Sequence, residues 1–343
     1  PKFFDVVTYT GNSTAGRTVS HNLGATPGMI IVKRTDSTGN WYVYHRGLPT
    51  PATQMLQLNN TEAAITGFWS GTAPTSTEFS VNDSNSINQT GGTYVAYIFA
   101  HNDGDGTFGP DSDQDIIKCG SKTFTGNGVY TIDLGFEADF VLWKKSNSTS
   151  DWNIMDSMRP KFDALSLTGG GQTLVLKPNN AGAEGTNTLF MGPTATGFGG
   201  YNVSGASTWI YMAISRPLAI PKAATDVFDL SISTQAINSS NPPPRTNFTV
   251  DAPMYRNRGS GNSWVFGARL TGIKGMFPNT TTSENNINWT FDEMDGWGIS
   301  ESAWESSGNF VFYNWKRATS FFDVVCYSGN STTGRTVSHN LGV

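Results

Sequence analysis

The chain has 343 residues and a formal net charge of −5, and 14% of its residues are charged while 12% are aromatic. This mixture argues against disorder, which requires low hydrophobicity and high net charge. The small negative charge provides no electrostatic footprint for nucleic acid. The longest strongly apolar runs, Tyr94–Ala100 and Trp209–Ile214, are too short to cross a bilayer. We therefore expect no nucleic-acid partner and no membrane insertion.

The first stretch of the chain returns near its end. Phe3–Gly24 recurs at Phe321–Gly342 with one constant offset, and the two copies differ at three of 22 positions. Repetition at a fixed period indicates a modular array. The sequence starts at Pro1 without a Met and ends in mid-pattern at Val343, so we expect a segment of a longer polypeptide.

Residues 1–101 predict a first unit made of short strands. Apolar runs such as Met29–Arg34 and Trp41–Arg46 are separated by Gly, Asn and Pro residues, which supply the backbone angles of tight turns. Several short strands at such spacing are typical of a sandwich or barrel. We interpret Phe3–Gly24 as the first hairpin of this unit.

The same plan repeats further along the chain. Trp152 corresponds to Trp41, and Lys144 corresponds to Lys33 with the same offset, while Trp264 is the corresponding residue of a more diverged third unit. The predicted units are 1–101, 116–218 and 225–317, and 319–343 is the first hairpin of a truncated fourth unit. The expected fold class is all-β, with tandem β-sandwich units (jelly-roll or lectin-like). Short links that contain proline favour a fixed geometry between neighbours and hence a rod.

An acidic run between the first two units is the strongest candidate for chemistry. Its glycines could let carboxylates wrap a hard cation such as Ca²⁺, which prefers six to eight oxygen ligands. The alternative is a solvated linker whose Asp and Gly residues make turns. Calcium is the only candidate cofactor, and its predicted ligands are Asp103, Asp105, Asp111, Asp113 and Asp115.

Catalytic motifs are not evident, and we expect no enzyme. His21 and His339 occupy the same repeat position before Asn-Leu-Gly, where a histidine is expected to bond the backbone of the turn. A nucleophile elbow and metal-binding histidine or cysteine patterns are missing from the sequence. Cys119 and Cys326 are interpreted as free thiols. A less favoured alternative, a glycan-cleaving domain, needs two carboxylates in one cleft, and the dense acidic set that could supply them is Asp292, Glu293, Asp295, Glu301 and Glu305.

The tryptophans suggest two roles. Trp41, Trp152 and Trp264 recur at one position of the three units and are predicted to be core residues. Trp69, Trp289, Trp297 and Trp304 do not recur in the sequence, so they either stack on sugar rings or fill the core and the contacts between units.

Several phrases of the sequence resemble a known group of proteins. The phrases that carry the resemblance are FFDVVTYTGN, RTVSHNLGATPGMIIVKR, YVAYIFAHNDGDGTFGPDSDQDIIKCG, WIYMAISRP and FVFYNWKRATSFFDVVCYSGN. They look like modules of virion structural proteins from marine tailed phages, such as the tail-fibre proteins of cyanophages. The resemblance implies a location in the virion, an extracellular particle, and brings no enzymatic motif.

We therefore expect a fibre-like virion segment that contributes to attachment to the host surface. Its expected partners are other copies of itself or other virion proteins, together with a host-surface glycan or receptor. Alternatives are a head or tail decoration protein that stabilises the particle, and a non-viral extracellular adhesin or filament protein.

Overall fold

The structure is a computed structural model, and the regular elements that it describes are almost entirely β-strands. None of the helices among the described residues has the length and apolar character needed to cross a membrane. The described residues are 3–102, 116–156, 173–183, 185–187, 190–194, 196–202, 205–215, 221–291, 293–299, 309–327, 329, 331–337, 339 and 341.

Unit 1 is a sandwich-like arrangement of a large and a small antiparallel sheet. Its elements are β1 (Phe4–Thr10), β2 (Arg17–Ser20), β3 (Pro27–Arg34), β4 (Trp41–His45), β5 (Gln54–Gln57), β6 (Ile65–Thr66), β7 (Glu78–Val81), the short helix α1 (Asn85–Asn88) and β8 (Thr93–Ala100). The large sheet has the order β1-β8-β3-β4-β5-β6, and β2 pairs with β7 in the small sheet. The predicted hairpin is therefore wrong: β1 and β2 lie in different sheets, because each pairs with a strand from the end of the unit.

Unit 2 repeats the central part of this topology. Its strands are β9 (Ile117–Thr125), β10 (Gly128–Asp133), β11 (Ala138–Lys145), β12 (Trp152–Asp156), β13 (Thr173–Val175), β14 (Gly185–Asn187), β15 (Phe190–Thr194), β16 (Gly197–Asn202) and β17 (Ala206–Ser215). The sheet β9-β17-β11-β12 corresponds to β1-β8-β3-β4 of unit 1. A second sheet has the order β10-β16-β15, and β13 pairs with β14.

Unit 3 reproduces the large sheet of unit 1 strand for strand. Its elements are a 3-10 helix (Ala224–Asp226), β18 (Phe228–Ser233), β19 (Ala252–Asn257), β20 (Val265–Gly267), a second 3-10 helix (Arg269–Thr271), β21 (Lys274–Met276), β22 (Asn285–Asn286), β23 (Trp289–Thr290), β24 (Gly298–Ile299) and β25 (Phe310–Trp315). The sheet order is β18-β25-β19-β20-β21-β22, and β23 pairs with β24. The divergence of the third unit in sequence has therefore left its strand order intact.

The second copy of the opening stretch has a different structure from the first. Apart from an isolated bridge between Ala318 and Phe322, its described residues form no strand. Tyr327 is 60% exposed, whereas the same residue in the first copy, Tyr9, is 8% exposed. The first copy is ordered as strands because β7 and β8 provide hydrogen-bond partners and a core. A strand needs such neighbours to be stable.

Candidate functional site

Among the hydrophobic clusters of the described residues, one contains side chains of two units, namely units 1 and 2. Successive side chains of a strand point to opposite faces of its sheet. On β17, Tyr211 and Ala213 point into the core of unit 2, while the alternate residues belong to the same buried cluster as the core of unit 1. The unit 2 side chains in that shared cluster are Ile117, Cys119, Leu142, Trp152, Ile210 and Met212. We call this packing of sheet on sheet the unit 1–unit 2 interface.

His45 on β4 lies in this interface and is 1% exposed. Its Nδ1 accepts a hydrogen bond from the Gly47 N–H at 3.0 Å, so the ring proton lies on Nε2, which donates to the Tyr211 carbonyl oxygen at 2.9 Å. Both nitrogens of the neutral ring are therefore satisfied. Burial lowers the pKa of His45 to about 3. A proton on Nδ1 would remove the acceptor that Gly47 uses.

Lys144 on β11 is buried and bonds to backbone carbonyl oxygens on both sides of the interface. Its Nζ donates to Thr61 O of unit 1 at 3.1 Å and to Ser150 O of unit 2 at 2.7 Å. Burial lowers the pKa of Lys144 to about 8. The neighbouring Trp152 donates from Nε1 to the Gln57 carbonyl oxygen of unit 1 at 2.8 Å. Side chains of unit 2 thus satisfy backbone acceptors of unit 1.

Glycines allow the two backbones to approach each other closely. A Cβ atom added to Gly47 would lie 2.8 Å from the backbone oxygen of Gly120 in unit 2. A Cβ atom on Gly28 would lie 2.6 Å from the Cys119 sulfur. Because real Cβ atoms do not approach other atoms this closely, the interface requires glycine at both positions.

A second junction is built around Arg317, whose side chain is 8% exposed. Its guanidinium donates to both carboxylate oxygens of Glu137 in unit 2, at 2.9 and 2.7 Å, and to Asp323 in the repeated stretch at 2.7 Å. The backbone N–H of Arg317 donates to Asp251 of unit 3 at 2.7 Å. Burial opposes the charge, but the bonds to Glu137 raise the pKa of Arg317. The junction therefore connects units 2 and 3 to the start of the next repeat.

The predicted calcium ligands lie outside the described residues, namely Asp103, Asp105, Asp111, Asp113 and Asp115. Within the described part of the chain, no group of three or more His, Cys, Asp and Glu side chains could hold a metal ion.

The carboxylates proposed for glycan cleavage are only partly described. Glu293 and Asp295 both pair with Arg245, and the distance to Asp295 is 3.5 Å. Asp292, Glu301 and Glu305 lie outside the described residues. The two described carboxylates thus share one cation on the surface of unit 3.

The histidine and cysteine predictions agree with the structure. The backbone N–H of Leu23 donates to Nδ1 of His21 at 3.2 Å, and the Leu341 N–H donates to Nδ1 of His339 at the same distance, so both histidines bond the following turn. Cys119 is a buried free thiol and Cys326 a half-buried one.

The tryptophan predictions are confirmed in part. Trp69, Trp289 and Trp297 are 6%, 1% and 1% exposed, so these three fill the core and do not present a face to sugars. Trp69 and Trp289 nevertheless occupy the same structural position in units 1 and 3. Trp69 forms a β-bridge with Val81 in unit 1, and Trp289 pairs with Ile299 in unit 3 in the same way. Trp304 lies outside the described residues.

Among the recurring tryptophans, only Trp152 is fully buried, at 1% exposure. Trp41 and Trp264 are half-buried on the outer faces of their sheets. Sequence reasoning predicted a common core position and missed the interface. A signal was present, because Lys33, Lys144 and Arg256 each precede their tryptophan by eight residues. This places a cation beside the ring on the neighbouring strand.

Comparison with known proteins assigns a family but no activity. The model of a family described as "Domain of unknown function (DUF7483)" matches residues 2–216, the range that holds units 1 and 2 and their interface. Neither the curated proteins nor the solved structures contain a match. Since the match spans more than half of the sequence, the chain belongs to the DUF7483 family.

Proposed function

We propose that this chain is a structural segment of a phage virion fibre, which projects from the particle and contributes to attachment to a glycan on the host surface. The observation that carries the proposal is that units 1 and 2 pack through a shared buried cluster. Repeated β units in fixed contact with their neighbours can extend a chain by repetition alone. The return of the opening sequence at Phe321, after three units, supports such growth in blocks.

The location in a virion rests on the phrase-level resemblance to phage structural proteins. Its partners would be further copies of the chain, other virion proteins and the host glycan or receptor. A rod is the proposed shape of the extended array. The element that would repeat along the array is a block of three units, in which units 1 and 2 form a packed pair.

The proposed role is mechanical and adhesive, without catalysis. Two buried cations serve contacts between units: Lys144 satisfies carbonyl oxygens, and Arg317 joins carboxylates from two other segments. The buried Arg269, in contrast, pairs with Asp251 inside unit 3. Glu293 and Asp295 both pair with Arg245 on the surface of unit 3, so the described acidic residues there have an ion-pair role.

The attachment part of the proposal is tested by competition with infection. Host cells are incubated with the purified chain before phage from the genome that carries this reading frame is added. We expect the adsorption rate to fall as the concentration of the chain rises, while an unrelated β-sandwich protein has no effect. Unchanged adsorption at saturating concentrations would contradict a role of this segment in attachment.

The same material separates attachment from cleavage. The chain is incubated with envelope polysaccharide of the host, and both retention on the polysaccharide and the release of new reducing ends are measured. Retention without new reducing ends is expected. Release of reducing ends would favour the glycan-cleaving alternative.

A further inference from the structure

Unit 3 presents the same sheet face that units 1 and 2 bury against each other. The register of the pairs β18–β25 and β25–β19 places Leu230 beside Tyr313 and Tyr313 beside Met254. Residues of the opposite face, such as Tyr255 and Phe312, form the core of unit 3. We call the first set the outer face of unit 3, and its side chains are Phe228, Leu230, Ile232, Val311, Tyr313, Trp315, Met254, Arg256, Trp264, Phe266 and Met276.

This outer face is apolar and remains accessible. Leu230, Ile232 and Met276 are 58%, 60% and 41% exposed. Met276 pairs with Phe266 as Leu56 pairs with Val43 in unit 1, and Leu56 is only 1% exposed because it lies in the cluster shared with unit 2. Several exposed apolar side chains on one face of a sheet are typical of an interaction surface.

Arg256 occupies the position in unit 3 that Lys144 has in unit 2. Both residues precede their tryptophan by eight residues, and the guanidinium of Arg256 lies over the Trp264 ring at 5.5 Å. Lys144 donates across the interface to a carbonyl oxygen of unit 1. The outer face of unit 3 therefore carries a cation at the position that joins two units elsewhere in the chain.

We propose that the outer face of unit 3 is the interface with a second copy of this chain, packed sheet on sheet as unit 2 packs on unit 1. The pairing of units 1 and 2 shows that this face of the unit binds the same face of a related unit. Units 1 and 2 satisfy each other within one chain, so unit 3 is left without an equivalent within the described block. The corresponding face in another copy is the matching surface, and the contact would be isologous.

The outer face of unit 3 is smaller than a standard stable interface. Five strands about 4.8 Å apart and about 20 Å long give a planar footprint of roughly 480 Å². A standard stable interface buries about 800 Å² per partner. The dimer is therefore expected to be weak, with a dissociation constant in the micromolar range, until further contacts along the array add to it.

The proposal is tested by sedimentation of the intact chain between about 1 and about 100 µM. We expect reversible dimerisation of the wild type, and a dissociation constant at least tenfold higher for Leu230→Lys and for Met276→Lys. Both side chains are exposed, so the variants should keep the circular dichroism and melting temperature of the wild type. Val129→Lys is the matched control, since Val129 is 54% exposed on β10 of unit 2 and should leave the dimer unchanged.

Three results would overturn the proposal. A wild type that stays monomeric over the whole range, or a dimer that persists unchanged in both lysine variants, would exclude this face as the contact. Retention of a monomeric wild type on host polysaccharide that is lost in Leu230→Lys would assign the face to a glycan instead. This outcome would contradict the dimer interface but not the proposed attachment function, so the two proposals can be distinguished.

Discussion

The two copies of the opening stretch allow one residue to be tested in two structural contexts. Tyr9 and Tyr327 stand in nearly identical sequences. Tyr9 is 8% exposed, stacks on Tyr94 with ring centroids 5.0 Å apart, and donates from its hydroxyl to the Ile87 carbonyl oxygen at 2.7 Å. Tyr327 is 60% exposed. The same truncation should therefore have very different consequences at the two positions.

Removal of a buried aromatic ring costs about 3–5 kcal/mol, whereas exposed positions usually change stability by no more than about 0.5 kcal/mol. We expect Tyr9→Ala to lower the urea midpoint of the transition that includes unit 1 by at least about 1 M, for a slope of about 1–3 kcal/mol/M. Tyr9→Phe removes only the bond to Ile87 and should cost about 1 kcal/mol. Tyr327→Ala should leave the midpoint unchanged.

Tryptophan fluorescence during urea titration of the intact chain measures these differences, with the wild type in parallel. Because the residue type and the flanking sequence are nearly the same at both positions, the stability difference between the two alanine variants measures the effect of burial alone. Equal midpoints for Tyr9→Ala and Tyr327→Ala would refute the reasoning, because they would show that the two copies have the same environment.

Four further predictions concern the contacts between units. The pKa of His45 is about 3 in the folded state, whereas its usual value is 6.5, so the neutral ring stabilises the fold above pH 6.5 and this stabilisation is lost as the pH falls. The free energy of unfolding should decrease by about 2 kcal/mol between pH 7 and pH 5. In parallel urea titrations, the decrease should be smaller for His45→Gln. Gly47→Ala should lower the melting temperature, at a cost of about 1–3 kcal/mol, because the added Cβ forces the backbone away from unit 2. Gly39→Ala is the control, since its Cβ would meet no atom within 4 Å and should leave the melting temperature unchanged. Equal shifts for the two variants would contradict the close approach of Gly47 to unit 2. Arg317→Ala should cost about 3–5 kcal/mol because it removes the cation that pairs with the buried Glu137 carboxylate. Adding Glu137→Gln should recover part of this loss in calorimetry. If the acidic run 103–115 binds calcium, EDTA should lower the melting temperature of the chain. An unchanged melting temperature would contradict the calcium hypothesis.

The strands of units 1 and 2 could be predicted from sequence because each is defined locally. Turn residues bound the apolar runs, and the repeat places Trp41 and Trp152 at the first position of β4 and β12. A strand of this length needs only side-chain alternation and flanking turns to be recognised.

The pairing of strands could not be predicted in the same way. β1 and β2 are separated by a turn and resemble a hairpin, yet β1 pairs with β8 at the far end of the unit. The choice is made by burial: pairing of β2 with β7 brings Val19 beside Phe79, at 6% and 1% exposure. Such a long-range contact leaves no signal in the spacing of a single sequence.

The role of the outer faces was also hidden, because burial there depends on a neighbouring unit. Trp41, Trp152 and Trp264 have the same sequence position, but only Trp152 is fully covered. The sequence of one unit does not determine which of its faces another unit covers. This is why an interface was missed where a core had been predicted.

Cryo-electron microscopy of whole particles tests the central proposal most directly. Under the proposal, the genome that carries this reading frame is that of a phage, and the density of its particles is searched for the packed pair of units 1 and 2. We predict that this pair occurs repeatedly along a slender projection from the particle. A periodic coat on the shell built from the same pair, or its absence from the particle, would contradict the assignment of the chain to a fibre.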